Sequence, residues 1–182
     1  MLKNRTNRYA SASILLHWLM LVAIVTTYTL ILLHDQYPHE NPKHEMLEHW
    51  HFYAGFTVLL LVIIRIGLIL QAGARPAITP KPAVWVSVSS KLMHVILYAF
   101  MLGMPLLGWM MLSAAGKQLP FGLPPLLDFD KPLARNIKEI HETIGTIGYY
   151  LLGLHAVAAL FHHYLLKDNT LLRMLPTRSS DK

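Results

Sequence analysis

Two histidines late in the sequence have a spacing that would place two metal ligands on one face of a helix. His141 and His155 are 14 residues apart. In an α-helix this spacing returns to within about 40° of the same direction and separates the residues by roughly 21 Å along the axis. Histidine in a membrane-spanning helix is costly and marks a metal ligand or a proton path by default. The alternative, near an interface, is a histidine that only hydrogen-bonds to a carbonyl or a lipid headgroup.

The elements that must position these histidines are four long apolar runs. The chain is 54% hydrophobic and 14% charged, whereas charged residues make up about a quarter of soluble domains. Each run is near the roughly 20 residues needed to cross about 30 Å of hydrocarbon. The sequence predicts an all-α, four-helix transmembrane bundle in a single domain, with the first run retained rather than cleaved as a signal peptide. The predicted spans are residues 14–33, 52–70, 92–112 and 143–166.

The distribution of lysine and arginine predicts the orientation in the membrane. Eleven of the sixteen lie before the first run, at or between the facing ends of the second and third runs, or after the fourth. Cytoplasmic connections carry the excess of positive residues, so both termini are expected in the cytoplasm. The net charge of +6 is then a topology signal and does not indicate nucleic-acid binding. The eleven residues are Lys3, Arg5, Arg8, Arg65, Arg75, Lys81, Lys91, Lys167, Arg173, Arg178 and Lys182.

Alternating helix directions supply a partner for each of the two histidines. His17 lies toward the cytoplasm with His155, and His51 lies toward the far side with His141. The absence of cysteine excludes iron–sulfur clusters and covalent c-type haem, while histidine is abundant at eleven copies. Two histidines fill both axial positions of a haem iron, which suits electron transfer. The sequence therefore predicts two b-type haems.

Two other histidines compete with His155 as the partner of His17 in the inner pair. His17 lies about one turn inside its run, whereas His155 lies about three turns from the end of the fourth run. His162, seven residues after His155 and on nearly the same face, matches the depth of His17 better. His94, one turn inside the third run, is another candidate. The outer pair is therefore better determined than the inner pair.

Other residues near these positions allow two interpretations each. Gly55 and Gly145 follow the outer histidines by one turn, where they would leave room for the edge of a macrocycle or simply let helices pack closely. Arg65, 14 residues after His51, is a candidate partner for a haem propionate or a residue that snorkels to the interface. The outer-loop histidines are five residues apart, which is not a same-face helical spacing and argues against a metal site. These are His34, His39, His44 and His49.

Long stretches of the sequence resemble the bacterial cytochrome b561 family, the group that includes superoxide oxidase. The similar segments are ILLHWLM around His17, HFYAGFTVLLLVIIR from His51, and the stretch from Ile140 to Pro176. That last stretch reads IHETIGTIGYYLLGLHAVAALFHHYLLKDNTLLRMLP. The resemblance covers essentially the whole chain.

This resemblance implies a ligand set and reaction partners. It implies haem ligands at His51 and His141 on the periplasmic side and at His17 and His155 toward the cytoplasm. It also implies a location in the bacterial inner membrane and ubiquinone near the cytoplasmic haem, with His162 close to the quinone. Superoxide oxidase in addition takes electrons from superoxide on the periplasmic side.

Three functions are open on this basis. The leading expectation is a superoxide:ubiquinone oxidoreductase, in which Lys131, Arg135 and Lys138 attract the superoxide anion toward the outer haem. Those three cations equally fit an ordinary solvated helix start. The alternative is a membrane cytochrome b subunit that relays electrons from a dehydrogenase or hydrogenase partner to quinone. A histidine-lined metal transporter without haem is the third.

Overall fold

Four long α-helices make up most of the protein. The computed structural model describes residues 8–73 and 75–176, and this part of the chain contains no β-strand. All four helices are long and apolar enough to cross a membrane. The prediction of an all-α protein with four membrane-spanning helices is confirmed. The helices are α1 Ser11–His34, α2 Pro42–Gln71, α3 Val84–Ala114 and α4 Lys131–Tyr164, with short 3-10 helices at Pro120–Gly122 and Leu172–Met174.

The orientation of the helices in the membrane stays a prediction. Four of the positive residues on which it depends lie outside the described residues. They are Lys3, Arg5, Arg178 and Lys182.

Helix α4 begins well before its apolar run because a capping residue defines its start. Asp130 accepts a hydrogen bond on Oδ1 from the Leu133 backbone N–H at 3.0 Å, and its carbonyl accepts one from the Ala134 N–H at 2.9 Å. A side-chain oxygen at this position satisfies a backbone donor that lacks a partner within the helix. The first turn of α4 therefore starts at Lys131, twelve residues before the predicted span of 143–166 begins.

The same helix ends through a left-handed residue. The backbone N–H groups of Leu165 and Leu166 both donate to the Phe161 carbonyl, and Lys167 adopts a φ of 51°. This arrangement is a common helix ending that turns the chain back on itself. It ends α4 at Tyr164, two residues short of the predicted span, and brings Asp168 back toward the last turn.

Apolar side chains on the helix surfaces are largely exposed. On α4, Ile147, Tyr150, Leu154 and Val157 follow a three- and four-residue spacing and are each more than half exposed. An apolar face of this length on a soluble protein would be unusual. It is the surface expected of a helix that faces lipid.

The chain divides into two compact units, and each helix contributes one stretch to both. The first unit contains the described residues of Met1–Leu19, Ile63–Leu97 and Tyr150–Lys182. The second contains Met20–Val62 and Tyr98–Tyr149. We call them the inner and outer units, after the predicted orientation.

A C-terminal clamp closes the inner unit. Asn169 accepts a hydrogen bond from the Thr79 N–H at 3.0 Å and donates to the Ala77 carbonyl at 3.3 Å. Arg173, which is buried, donates to the Pro76 carbonyl. The segment after α4 thus holds the connection between α2 and α3.

Gly148 is the most tightly packed of the glycines in the described residues. A Cβ at this position would overlap the Phe100 ring and the Tyr28 hydroxyl. Tyr28 cannot easily retreat, because its hydroxyl donates to the Gly145 carbonyl at 2.8 Å. The absence of a side chain at residue 148 therefore lets α1, α3 and α4 approach closely.

We expect Gly148→Ala to lower the free energy of unfolding by about 1–3 kcal/mol, the usual cost of overpacking. Thermal denaturation in detergent measures the loss. Gly153→Ala is the matched control, because a Cβ there meets nothing within 4 Å. Equal stability of the two variants would show that an added Cβ at residue 148 does not strain the packing.

Candidate functional site

The outer unit brings His51 of α2 and His141 of α4 face to face. Their ring centroids are 6.4 Å apart and the ring planes cross at 80°. A metal–imidazole bond of about 2 Å on each side, plus about 1.2 Å from nitrogen to ring centroid, gives roughly 6.4 Å for two histidines on one iron. The pair thus has the separation required of two axial haem ligands.

The remaining nitrogens of the outer pair support ligation through Nε2. His51 Nδ1 lies 2.9 Å from the Thr27 carbonyl, a contact that requires the proton on Nδ1 and leaves Nε2 as the ligating atom. His141 Nδ1 is buried without a hydrogen-bond partner of ordinary geometry, although the Met104 backbone is close. The His51 ring is therefore held by a hydrogen bond on Nδ1, whereas the His141 ring is positioned by packing.

The surroundings of Gly55 and Gly145 distinguish between the two interpretations of these glycines, room for a macrocycle and close helix packing. A Cβ at Gly55 would meet nothing within 4 Å, so this face of α2 has open space beside His51. A Cβ at Gly145 would lie 3.4 Å from the Met104 methyl group, which is ordinary helix packing. Space for a macrocycle is therefore found at Gly55 but not at Gly145.

The inner unit brings together His17 of α1 and His155 of α4. Their ring centroids are also 6.4 Å apart, with an interplanar angle of 66°. His94 contacts His155 at 5.6 Å, but its side chain is exposed and its Nδ1 lies 2.6 Å from the Ser90 carbonyl of its own helix. The distance favours His17 and His155 as the inner pair, with His94 beside it.

Arg65 lies next to the inner pair. Its guanidinium donates to the Ser13 carbonyl at 3.0 Å, and its charge acts on both His17 and His155. A guanidinium beside two candidate axial ligands is suitably placed to pair with a carboxylate of a bound haem. The geometry therefore favours the propionate interpretation over simple snorkelling, and the role stays a prediction.

His162 belongs to a different arrangement from the inner pair. Its Nδ1 lies 2.6 Å from the Asp168 carboxylate, and this carboxylate also accepts the Thr170 N–H at 2.8 Å. Burial alone would raise the pKa of Asp168, but the hydrogen bonds from His162 and Thr170 outweigh it and hold the pKa below its usual value. A carboxylate held in this way fixes the orientation of the imidazole and leaves its Nε2 for another partner.

The lowered pKa of Asp168 predicts a pH-dependent contribution to stability. A carboxyl group with a lowered folded-state pKa stabilises the protein above its unfolded pKa of about 3.9, and this contribution is lost as the pH falls through the folded pKa. At pH 7 we expect Asp168→Asn to lower the free energy of unfolding by about 1–3 kcal/mol. The deficit should shrink below about pH 4, as thermal unfolding against pH would show.

The exposed Asp128 provides the control for this prediction. Asp128→Asn should leave stability almost unchanged across the same pH range. A deficit in Asp168→Asn that is the same at pH 3 and pH 7 would contradict a role for the charge.

The three cations predicted to attract superoxide are each engaged with a neighbour. Arg135 and Lys138 pair with Glu139 and Glu142, one turn further along α4, at 3.1 and 3.5 Å. Lys131 lies 5.9 Å from the centre of the Phe129 ring. Because the charges of Arg135 and Lys138 are paired and largely cancel at a distance, the interpretation as a solvated helix start is the better one.

Together, four helices with paired histidines in each unit define a class of protein: a multi-pass membrane cytochrome of the b type. The comparison with known families agrees. The family model for prokaryotic cytochrome b561 matches residues 8–177, and the chain belongs to this family of membrane electron-transfer proteins. Members bind b-type haem, and the histidine pairs described above have the spacing and nitrogen chemistry to hold it.

Curated relatives match over nearly their whole length. The chain is 38% identical to cytochrome b561 homolog 1 of Escherichia coli K12 over 94% of this chain and 99% of the relative. It is 34% identical to a Yersinia pestis protein named probable superoxide oxidase CybB, over 94% and 97%. Cytochrome b561 homolog 2 of Escherichia coli K12 is 25% identical over 98% and 96%.

Two features of the site were not assigned from the sequence. Asp168, the partner of His162, belongs to the Lys-Asp-x-Thr-Leu stretch of the resemblance, but its contact depends on the turn at Lys167. The Thr27 carbonyl, which orients His51, leaves no sequence signal because any residue could supply a backbone oxygen.

Proposed function

We propose that the protein is a di-haem electron-transfer cytochrome of the bacterial inner membrane that oxidises superoxide on the periplasmic side and reduces ubiquinone. One haem would be held by His51 and His141, and the other by His17 and His155. The observation that carries the proposal is the separation of 6.4 Å in both histidine pairs. A chance contact could explain this separation in one pair of histidines, but it would not explain the same separation in both.

The stoichiometry follows from the substrates. Superoxide gives up one electron to become oxygen, whereas ubiquinone takes two electrons and two protons to become ubiquinol. Two superoxide anions are therefore consumed for each quinol formed. Bound haem supplies the one-electron carriers that such a reaction needs.

His162 is the residue that best suits the quinone side. Asp168 accepts a hydrogen bond from its Nδ1–H, so the Nε2–H of its imidazolium form would hydrogen-bond to a quinone oxygen and give up its proton as the quinone is reduced. The Asp168 carboxylate would stabilise the imidazolium after the ring takes a new proton from water. A carboxylate that orients a histidine in this way is a frequent arrangement in acid–base catalysis.

The electron donor has a second candidate. The relative named probable superoxide oxidase supports superoxide. The pairing of Arg135 and Lys138 with acidic neighbours weakens the electrostatic attraction expected for a small anion, which counts in favour of the other candidate donor, a dehydrogenase partner. In that alternative the protein relays electrons from the partner to quinone.

A superoxide pulse tests the proposal directly. Protein purified with its haems under anaerobic conditions is mixed with potassium superoxide, with and without a soluble ubiquinone. We expect rapid haem reduction without quinone, and with quinone one quinol for every two superoxide anions. Superoxide dismutase, added first, should abolish both signals. If the haems stay oxidised under the pulse while another donor reduces them, the superoxide assignment is wrong and the relay function is supported.

A further inference from the structure

Three outer-loop histidines meet although their sequence spacing argues against it. His34 ends α1, His39 lies in the connection, and His44 is in the first turn of α2. The ring centroids of His34 and His44 are 3.7 Å apart, and those of His39 and His44 are 4.4 Å apart. The connection folds back between the two helix ends, so residues that share no helix face come into contact.

The atoms of this histidine cluster are arranged in a chain. His39 Nδ1 lies 2.9 Å from His44 Nε2, and His44 Nδ1 lies 3.0 Å from the Tyr37 carbonyl. His34 Nδ1 lies 2.8 Å from the Asp35 carboxylate. The Tyr37 carbonyl requires a proton on His44 Nδ1, and His44 Nε2 therefore carries a lone pair when the ring is neutral.

A histidine with a lone pair on one nitrogen and a backbone carbonyl on the other has the usual environment of a metal ligand. Two nitrogens bound at about 2.0 Å to one ion are roughly 2.8 Å apart at a right angle and roughly 3.3 Å apart in a tetrahedron. The 2.9 Å between His39 Nδ1 and His44 Nε2 falls within this range. It is closest to neighbouring ligands in a square-planar or tetragonal site.

The cluster does not form a closed site of three protein ligands. Within residues 8–73 and 75–176, no group of three or more histidine, cysteine, aspartate or glutamate residues is arranged to hold a metal ion. His34 stacks on His44 more closely than two ligands of one ion would. A metal ion here would have two imidazole ligands and complete its shell with water.

We propose that His39 and His44 form a binding site for a divalent transition-metal ion, with copper(II) as the best match. Copper(II) prefers imidazole in a tetragonal arrangement and binds such ligands more tightly than the other divalent first-row ions. His39 moves its proton from Nδ1 to Nε2, and both rings turn so that His39 Nδ1 and His44 Nε2 face the ion. The exposed His39 side chain has room for this rotation.

One neighbouring charge favours a cation at this position: Asp35 contacts the stacked His34. Glu48 lies one turn after His44 but is paired with Lys117 at 2.6 Å, and Lys43 is directed toward the Tyr37 ring at 5.2 Å. The site lies in the connection between α1 and α2 and the first turn of α2, outside the apolar runs, where an ion in solution can reach it.

Titration of the haem-loaded, tag-free protein with copper(II) sulfate at pH 7.5 tests the site. We expect one copper ion per chain by calorimetry, with an electron paramagnetic resonance spectrum showing nitrogen ligands in a tetragonal field. His39→Gln and His44→Gln should each raise the dissociation constant by about 100-fold. Lowering the pH to 5.5 should weaken binding to the wild-type protein because protons compete for the imidazoles.

His49→Gln is the matched control, because His49 is exposed on the same helix but its Nδ1 contacts the Glu45 carbonyl outside the cluster. This variant should bind copper as the wild type does. The proposal is overturned if the wild type binds no stoichiometric copper, or if His49→Gln loses as much affinity as His39→Gln. None of these measurements depends on superoxide or quinone, so the result is independent of the proposed function.

Discussion

The His155→Ala variant is expected to contain one b-type haem per chain instead of two. Alanine removes one axial ligand of the inner site, and His17 alone would hold haem weakly, with an open coordination position. The remaining haem should keep the low-spin spectrum of the outer pair. Pyridine haemochrome analysis gives the ratio of haem to protein, and a redox titration should show one transition in place of two.

His94, a competing candidate for the inner haem ligand, provides the control for this prediction. His94 is the other imidazole in contact with His155 among the described residues, at 5.6 Å. If it only flanks the inner pair, His94→Ala should retain two haems. Retention of both haems in His155→Ala together with loss of one in His94→Ala would transfer the inner ligand to His94.

The second large effect is expected on the donor side, in His51→Ala. This variant should lose the outer haem, and superoxide-driven quinol formation should fall to the uncatalysed level because electrons can no longer enter. The inner haem should remain and should still be reduced by added ubiquinol, whose site is elsewhere. Stopped-flow absorbance with each reductant in turn separates the two reactions.

His49→Ala is the appropriate comparison, because His49 is an exposed histidine only two residues away. It should contain two haems and turn over as the wild type does. Loss of quinol-driven reduction in His51→Ala as well would indicate general unfolding and not a local defect at the donor side.

The helix architecture was predictable because it depends on chain-wide signals. Four apolar runs of membrane-spanning length require four helices. Alternating direction places His51 with His141, and it places His17 on the same side of the membrane as His155. This placement needs no knowledge of loop structure. For the same reason the outer pair could be predicted from topology, whereas His155 was preferred to His162 only through family resemblance.

Contacts that depend on loop conformation were not predictable. Spacing along a helix says nothing about His39 and His44, because the connection between α1 and α2 brings them together. Asp168 reaches His162 because Lys167 adopts a left-handed conformation, which lysine rarely does. The pairing of Arg135 and Lys138 with Glu139 and Glu142 could have been predicted from their four-residue spacing, and it supports the interpretation as a solvated helix start.

The C-terminal clamp has a consequence for the order in which the protein matures during synthesis. The outer unit is complete once residue 149 has been made, but the inner unit needs Asn169 and Arg173 to close on residues 76–79, about ninety positions earlier in the chain. Contacts between such distant segments form late, because the loop between them must first be closed. A nascent chain whose outer unit has left the ribosome while residues 169–173 have not would therefore have its outer histidines paired and its α2–α3 connection still unattached.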